Sequence, residues 1–286
     1  METRTLATPE VDLVHDVVGP LPPADGRPPL FMIGQPMDAS GFYALASHLP
    51  DRTVVTYDPR GLGRSVRHDG LDTSDPEVQA GDLHALVTEL GVGPVDVFAS
   101  SGGAVAGLAW ITMFPDDVAT LVAHEPPIFG VLPDADATAR AFDRVHAAYV
   151  ERGWGAGMAA FIGFTSWAGE VTDEYFAQPL PDRAAFGMPT DDDGRRDDPL
   201  LSDRAISVVR YEVDLHALEK APTRIVLAVG EESAGVFPGR CATALGASLG
   251  QEPVVLPGGH GGFSAEEGPW PGQATAFAER LRAALM

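Results

Sequence analysis

One cysteine and one lysine are all that this chain of 286 residues contains of either. Cys241 alone can form no disulfide within the chain and no thiolate metal site. Lys220 alone removes any phosphate-loop lysine and leaves little scope for Schiff-base chemistry. Positive charge is scarce as a whole: 19 Lys and Arg face 41 Asp and Glu, a net charge of −22. Such a chain repels phosphate backbones and anionic lipid, so neither nucleic acid nor a membrane surface is expected as a partner. No apolar run approaches the roughly 18 residues of a membrane span. The opening METRTLATPEVDLVHD lacks the basic start, apolar run and small-residue cleavage site of an export signal, which points to a cytoplasmic protein. Internal repeats and low-complexity tracts are missing as well.

What is present is an ordinary globular composition, 45% hydrophobic and 21% charged, ample for a large core. Past a turn-rich connector at 19–29, short apolar runs alternate with helical patterns. Residues 30–33, 53–57, 95–99, 119–123, 224–229 and 253–256 read as buried strands. Residues 40–49, 76–90, 103–114, 239–249 and 271–285 read as helices. Alternation of this kind predicts an α/β fold, a mostly parallel sheet with helices on both faces.

The alternation stops between about residues 127 and 215, where no convincing strand occurs. Phe142, Val145 and Tyr149 are spaced three and four apart, as one face of a helix requires. Residues 131–212 carry ten Phe, Trp or Tyr, about twice the density of the rest of the chain. A helical cap over an apolar site is one expectation, with Trp154, Phe161, Phe164 and Trp167 facing a substrate. The other is that these aromatics form the insertion's own small core. The chain thus divides into a core domain of 1–130 and 213–286 and a cap of 131–212. The acidic run TDDDGRRDDP at 190–199 reads as a solvated loop.

Three segments carry chemistry. In VDVFASSGGAVAGLAW a strand gives way to a sharp turn and then an Ala-rich helix. A nucleophilic serine on such a turn needs small residues two before and two after it, because the backbone is crowded there. Ala99 and Gly103 fill those places around Ser101, whereas Ser100 has Phe98 two before it. The helix start puts the Gly102 N–H and a positive dipole end where an oxyanion would develop. In MIGQPMDASGF, Gly34 lets the chain leave the sheet and Gln35 would offer a second oxyanion donor; an ordinary Gly-Pro turn is the competing reading. In GGHGGF, residues 258–263, glycines on both sides would let a catalytic base approach closely. That makes His260 the candidate, since His48, His84, His146 and His216 lie in helical patterns. His124 and Glu125 stand in HEPP, which is not the zinc motif His-Glu-x-x-His.

Together these segments resemble the α/β-hydrolase superfamily from about residue 10 to the end, with the insertion in the usual cap position. Small acidic hydrolases of actinobacteria look most similar as a group. Tyr57 to Ser65 (YDPRGLGRS) resembles the family signature D-x-R-G-x-G-x-S and reads as a turn shaping the pocket wall. The resemblance implies an eight-stranded sheet and the chain order nucleophile, acid, histidine. It also implies departures. Ile33-Gly34 stands where many relatives have His-Gly, and the nucleophile is serine rather than the aspartate of dehalogenases and epoxide hydrolases. The family's aspartate usually falls third after Gly230, where this chain has Ser233. Glu232, one place earlier and one methylene longer, is the favoured acid; Glu125, at the end of the strand 119–123, is the alternative.

The function implied is a serine hydrolase of a small ester, thioester or lactone, using Ser101, His260 and a carboxylate, with Gln35 and Gly102 as the oxyanion hole. No metal and no organic cofactor is expected, and the partner is a small, apolar substrate. Relatives of this fold also run cofactor-free perhydrolysis, acyl transfer, carbon–carbon cleavage and biosynthetic cyclisation, and fold is poor evidence for reaction. A ligand receptor with a vestigial triad is the reading from another class. Dinucleotide binding fails because GLGRSV, 61–66, has no glycine in the third place.

Overall fold

The computed structural model describes residues 1–268 and 270–286. It begins with an antiparallel hairpin of β1 (Glu2–Ala7) and β2 (Val11–Val18). Then come β3 (Leu30–Gln35), α1 (Tyr43–Ser47), β4 (Val54–Tyr57) and the two-residue β5 (Val66–Arg67). The middle of the chain consists of α2 (Pro76–Leu90), β6 (Val95–Ser101), α3 (Gly102–Met113) and β7 (Val118–His124). Next lie α4 (Ala135–Arg152), α5 (Trp154–Thr165), α6 (Asp173–Ala177), α7 (Ile206–Val209) and α8 (Leu215–Lys220). The chain closes with β8 (Arg224–Gly230), α9 (Phe237–Ser248), β9 (Val254–Leu256) and α10 (Ala274–Leu285).

The sheet runs β1-β2-β4-β3-β6-β7-β8-β9, with β5 added on β2. From β4 to β9 every neighbouring pair is parallel. Such strands are covered on both faces, which is why β3 and β4 are buried at every position. Eight strands therefore lie on the main path, and the ribbon β5 makes nine. The first two strands had no clear signal in the sequence. β1 buries none of its residues, so only backbone pairing with β2 makes it a strand. In β2 the apolar pattern is interrupted by His15 and Asp16, both of which are buried.

Helices α2 and α3 cover one face of the sheet, where Leu83, Leu86, Leu108 and Trp110 join the strand side chains in one core. Helices α1 and α10 cover the other, with Phe42, Leu45, Phe277 and Leu281. Burying each such side chain contributes about 1.5–3 kcal/mol. Local signals place the helices: the Asp75 carboxylate caps α2 by accepting from the N–H groups of Glu77 and Val78, and Gly91 ends it in the left-handed conformation.

The turn YDPRGLGRS is a latch between elements. The Asp58 carboxylate accepts the N–H groups of Ala39 at 3.0 Å and Arg64 at 2.7 Å. The Ser65 hydroxyl donates to the Asp58 carbonyl and accepts from Val14 N–H, tying the turn to β2. Arg60 grips Asp82 of α2 through two bonds of 2.7 and 2.6 Å. Gly63 is required here, since a β-carbon would stand 2.6 Å from Asp58 Oδ2. The turn is structural as expected, but none of its residues lines the cavity described below, so its expected part in the pocket wall is corrected.

Between β7 and β8 the described residues form helices and loops, with a single isolated bridge from Ala168 to Val236. Their aromatics build a third core in which Phe142, Tyr149, Phe164 and Tyr175 meet Phe237 and Cys241 of α9.

Candidate active site

β6 and α3 meet at Ser101, whose backbone sits at φ 57° and ψ −130°. A non-glycine residue held there stores on the order of 1–3 kcal/mol of strain, which the surrounding fold must offset. The two glycines after it are dictated by close approach. A β-carbon on Gly103 would stand 2.6 Å from Gly34 Cα and from the Ile33 carbonyl oxygen. On Gly102 it would stand 2.8 Å from the Gln35 carbonyl oxygen and 3.0 Å from Val208 Cγ1. Helix α3 is thereby pressed against the end of β3, and α7 against the turn. Gln35 is the register partner of Ser101 across β3 and β6, and its side-chain Nε2 donates to Ser74 Oγ at 2.8 Å.

His260 follows β9 in the glycine-flanked loop, with Nδ1 2.5 Å from Glu125 Oε2. Glu125 lies just past β7, fully buried, at φ 50°. Its N–H still donates to the Ala228 carbonyl of β8 at 3.1 Å. Its other oxygen accepts the Gly230 N–H at 2.8 Å and the Ser233 hydroxyl. Burial pushes this carboxyl up, but the bonds from His260 and Ser233 and the neighbouring histidines outweigh burial and hold it down at about 2.

Glu232, the acid favoured from the sequence, is thus corrected. Its N–H donates to the Gly258 carbonyl at 3.0 Å, and its side chain is exposed on the cavity wall with no hydrogen bond to His260. The reason is geometric. From one residue beyond β7, the buried Glu125 side chain reaches the end of the adjacent β8, and Ser233 donates to it from the third place after Gly230.

His124 had no expected role. It is fully buried, with Ser100 Oγ 3.0 Å from Nδ1, and its Nε2 lies 3.9 Å from Glu125 Oε1 without a hydrogen-bond partner. Burial lowers its pKa to about 4, so it is neutral at pH 7. The only sequence signal was adjacency: Ser100 and His124 are neighbours of Ser101 and Glu125. Cys241 is buried too, and burial pushes its thiol up, away from nucleophilic chemistry.

Ser101, Gly102, Gln35 and His260 line one cavity of about 420 Å³. Phe142, Phe161, Val208, Val209, Val236 and Phe237 supply much of its apolar wall. Of the four cap aromatics expected to face a substrate, Phe161 alone is in this wall. Phe164 is buried in the cap core between Phe142, Tyr175 and Phe237. Trp154 and Trp167 turn their indole N–H groups to Asp198 and to the Glu170 carbonyl, at 2.9 and 3.0 Å. Both indoles are half-buried, and neither partner lines the cavity. Among the described residues no group of three or more His, Cys, Asp or Glu is placed to hold a metal ion, and no helix is long and apolar enough to cross a membrane.

A strained serine between strand and helix, on a parallel sheet of this order, defines a class. The family model for the alpha/beta hydrolase family matches residues 26–279, and the chain belongs to that family of hydrolases. It is 30% identical over 271 residues to the uncharacterized hydrolase YraK of Bacillus subtilis (strain 168), covering 91% of this chain and 90% of that one. Among solved structures it is similar to a thermophilic esterase from Thermogutta terrifontis, with a TM-score of 0.62 and 21% identity over the whole of both chains. A bromoperoxidase from Bacillus anthracis matches with a TM-score of 0.65 and 19% identity over 99% of both chains.

Proposed function

We propose that this protein is a serine hydrolase of small, largely apolar esters, thioesters or lactones, with Ser101, His260 and Glu125 as its triad and Gln35 and Gly102 as oxyanion donors. One observation carries the reading: Ser101, held at positive φ, opens onto the same cavity as His260, whose far side is fixed by a buried carboxylate. With Glu125 bound to Nδ1, the imidazole presents Nε2 as the base. His260 Nε2 takes the Ser101 proton while Oγ bonds to the substrate carbonyl carbon. The carbonyl oxygen becomes an oxyanion held by the backbone N–H groups of Gln35 and Gly102. As the bond to the leaving oxygen or sulfur breaks, His260 returns the proton to it. Water then attacks the acyl-enzyme by the same route, releasing the acid and restoring Ser101.

A fluorophosphonate probe followed by peptide mapping tests this. Labelling should fall on Ser101 and disappear in Ser101→Ala, with p-nitrophenyl ester hydrolysis lost in step. A well-folded protein that resists the probe and hydrolyses no ester, thioester or lactone would instead be a receptor that keeps the fold.

A further inference from the structure

Glu232, displaced from the role of triad acid, stands in an unusual place. Among the described residues the wall of the cavity contains no Lys, Arg or Asp, and His260 is its only other ionisable side chain. Among the described residues the Glu232 side chain enters no ion pair, and most of the remaining wall is apolar. One of its oxygens lies 3.5 Å from where a β-carbon on Gly259 would stand, so the carboxylate sits beside the residue that precedes His260. In the proposed reaction His260 hands its proton to the departing group, and the departing group must therefore lie on the histidine side of the cavity. The single negative charge of the wall and the leaving portion of the substrate fall on the same side.

Resting on the serine-hydrolase reading, we propose that Glu232 selects substrates bearing a cationic, ammonium-type group in the leaving portion, with the apolar remainder held by Phe142, Phe161 and Phe237. A neutral apolar leaving group would strip water from the carboxylate and return nothing for it. An ammonium group would meet an opposite charge, with apolar walls that weaken screening. The −22 net charge adds a long-range attraction for cations, so the local and the global fields act in the same direction. Glu232 is exposed, which holds the local effect to about fivefold rather than hundreds.

Choline butyrate and 3,3-dimethylbutyl butyrate share an acyl group and a shape and differ in charge, so their kcat/KM ratio isolates the effect. At low salt the ratio should favour the choline ester by about fivefold, and Glu232→Gln should bring it close to one. If turnover of both is too slow, the same ratio is read as protection of Ser101 from the fluorophosphonate probe. Three results would overturn the proposal: a ratio near one in the parent protein, a ratio preserved in Glu232→Gln, or an equal loss on both esters. The second would assign the preference to the global charge, and the third would make Glu232 a helper of His260. Failure of the underlying reading is separately visible, because then Ser101 does not label; labelling without charge discrimination sinks this inference alone.

Discussion

The sheet and the helices between β7 and β8 contribute to the same cavity under different constraints. At the sheet end, Ser101, Gly102, Gln35, Glu125 and His260 are placed by backbone: strand ends, a strained turn and glycines where a β-carbon would meet backbone within 3 Å. At the helical end, Phe142, Phe161 and Val209 are placed by how several helices pack on one another. The first kind of placement tolerates almost no substitution and fixes chemistry. The second tolerates volume-conserving changes and sets what fits. Mutations at the two ends should therefore separate into effects on turnover and effects on substrate preference.

The sharpest contrast lies within the turn. Ser101→Ala should lower kcat by about 10⁴-fold or more with an unchanged melting curve, because the hydroxyl reacts but does not pack. Its neighbour Ser100→Ala should do the reverse, keeping most activity while losing about 1–3 kcal/mol of stability as buried His124 loses its partner. Matched kinetics and melts decide it, and swapped phenotypes would shift the register of the turn by one residue.

Ser233→Ala comes next in size. Removing a hydroxyl that donates to a buried carboxylate should lower kcat about tenfold with little change in KM, and Ser233→Thr should restore part of it. A loss confined to the melting temperature would reduce Ser233 to a packing residue. At the cap end, Phe161→Ala should move the ester chain-length optimum upward and change selectivity by about tenfold, with kcat on the best ester within a few-fold of the parent. An unaltered chain-length profile would mean that the cap does not contact the acyl group.

The smallest effect is on pH and stability. His124 has a folded pKa near 4, below its unfolded value of 6.5, because burial disfavours its charged form. Between those values the unfolded chain binds more protons, so stability is full above about pH 6.5 and falls as pH drops toward 4. Melting temperatures across that window should decline, and His124→Asn should flatten part of the slope. Glu125 behaves differently: held at about 2, it stays ionised from pH 7 to 4, so acid-side loss of activity in that range titrates another group.

The same contrast explains what could be read from the sequence. The meeting of Ser101, Gly102, Gln35 and His260 at one cavity was legible because each depends on local residue pattern, small neighbours around a turn or glycines around a loop. The parallel strands were legible because burial on both faces leaves uninterrupted apolar runs, while β1, buried at no position, left no trace. Which carboxylate meets His260 was not legible because two of them satisfied the chain order. Choosing between them needed the spacing of β7 and β8 and the left-handed backbone at Glu125. The cavity wall was the least legible, since Phe161 and Phe164 look alike in sequence and one faces the cavity while the other fills the cap core.

The identity of the acid is the point on which the account turns, and Glu125→Gln tests it most directly. The amide keeps the shape of the side chain and removes the charge that, in the proposed triad, fixes and stabilises the His260 imidazolium. Measured on a p-nitrophenyl ester with a matched melting curve, kcat should fall by about 10⁴-fold while the fold survives. A loss below about tenfold in Glu125→Gln, with Glu232→Gln suffering the larger drop, would contradict the assignment and return the acid to the strand β8 side.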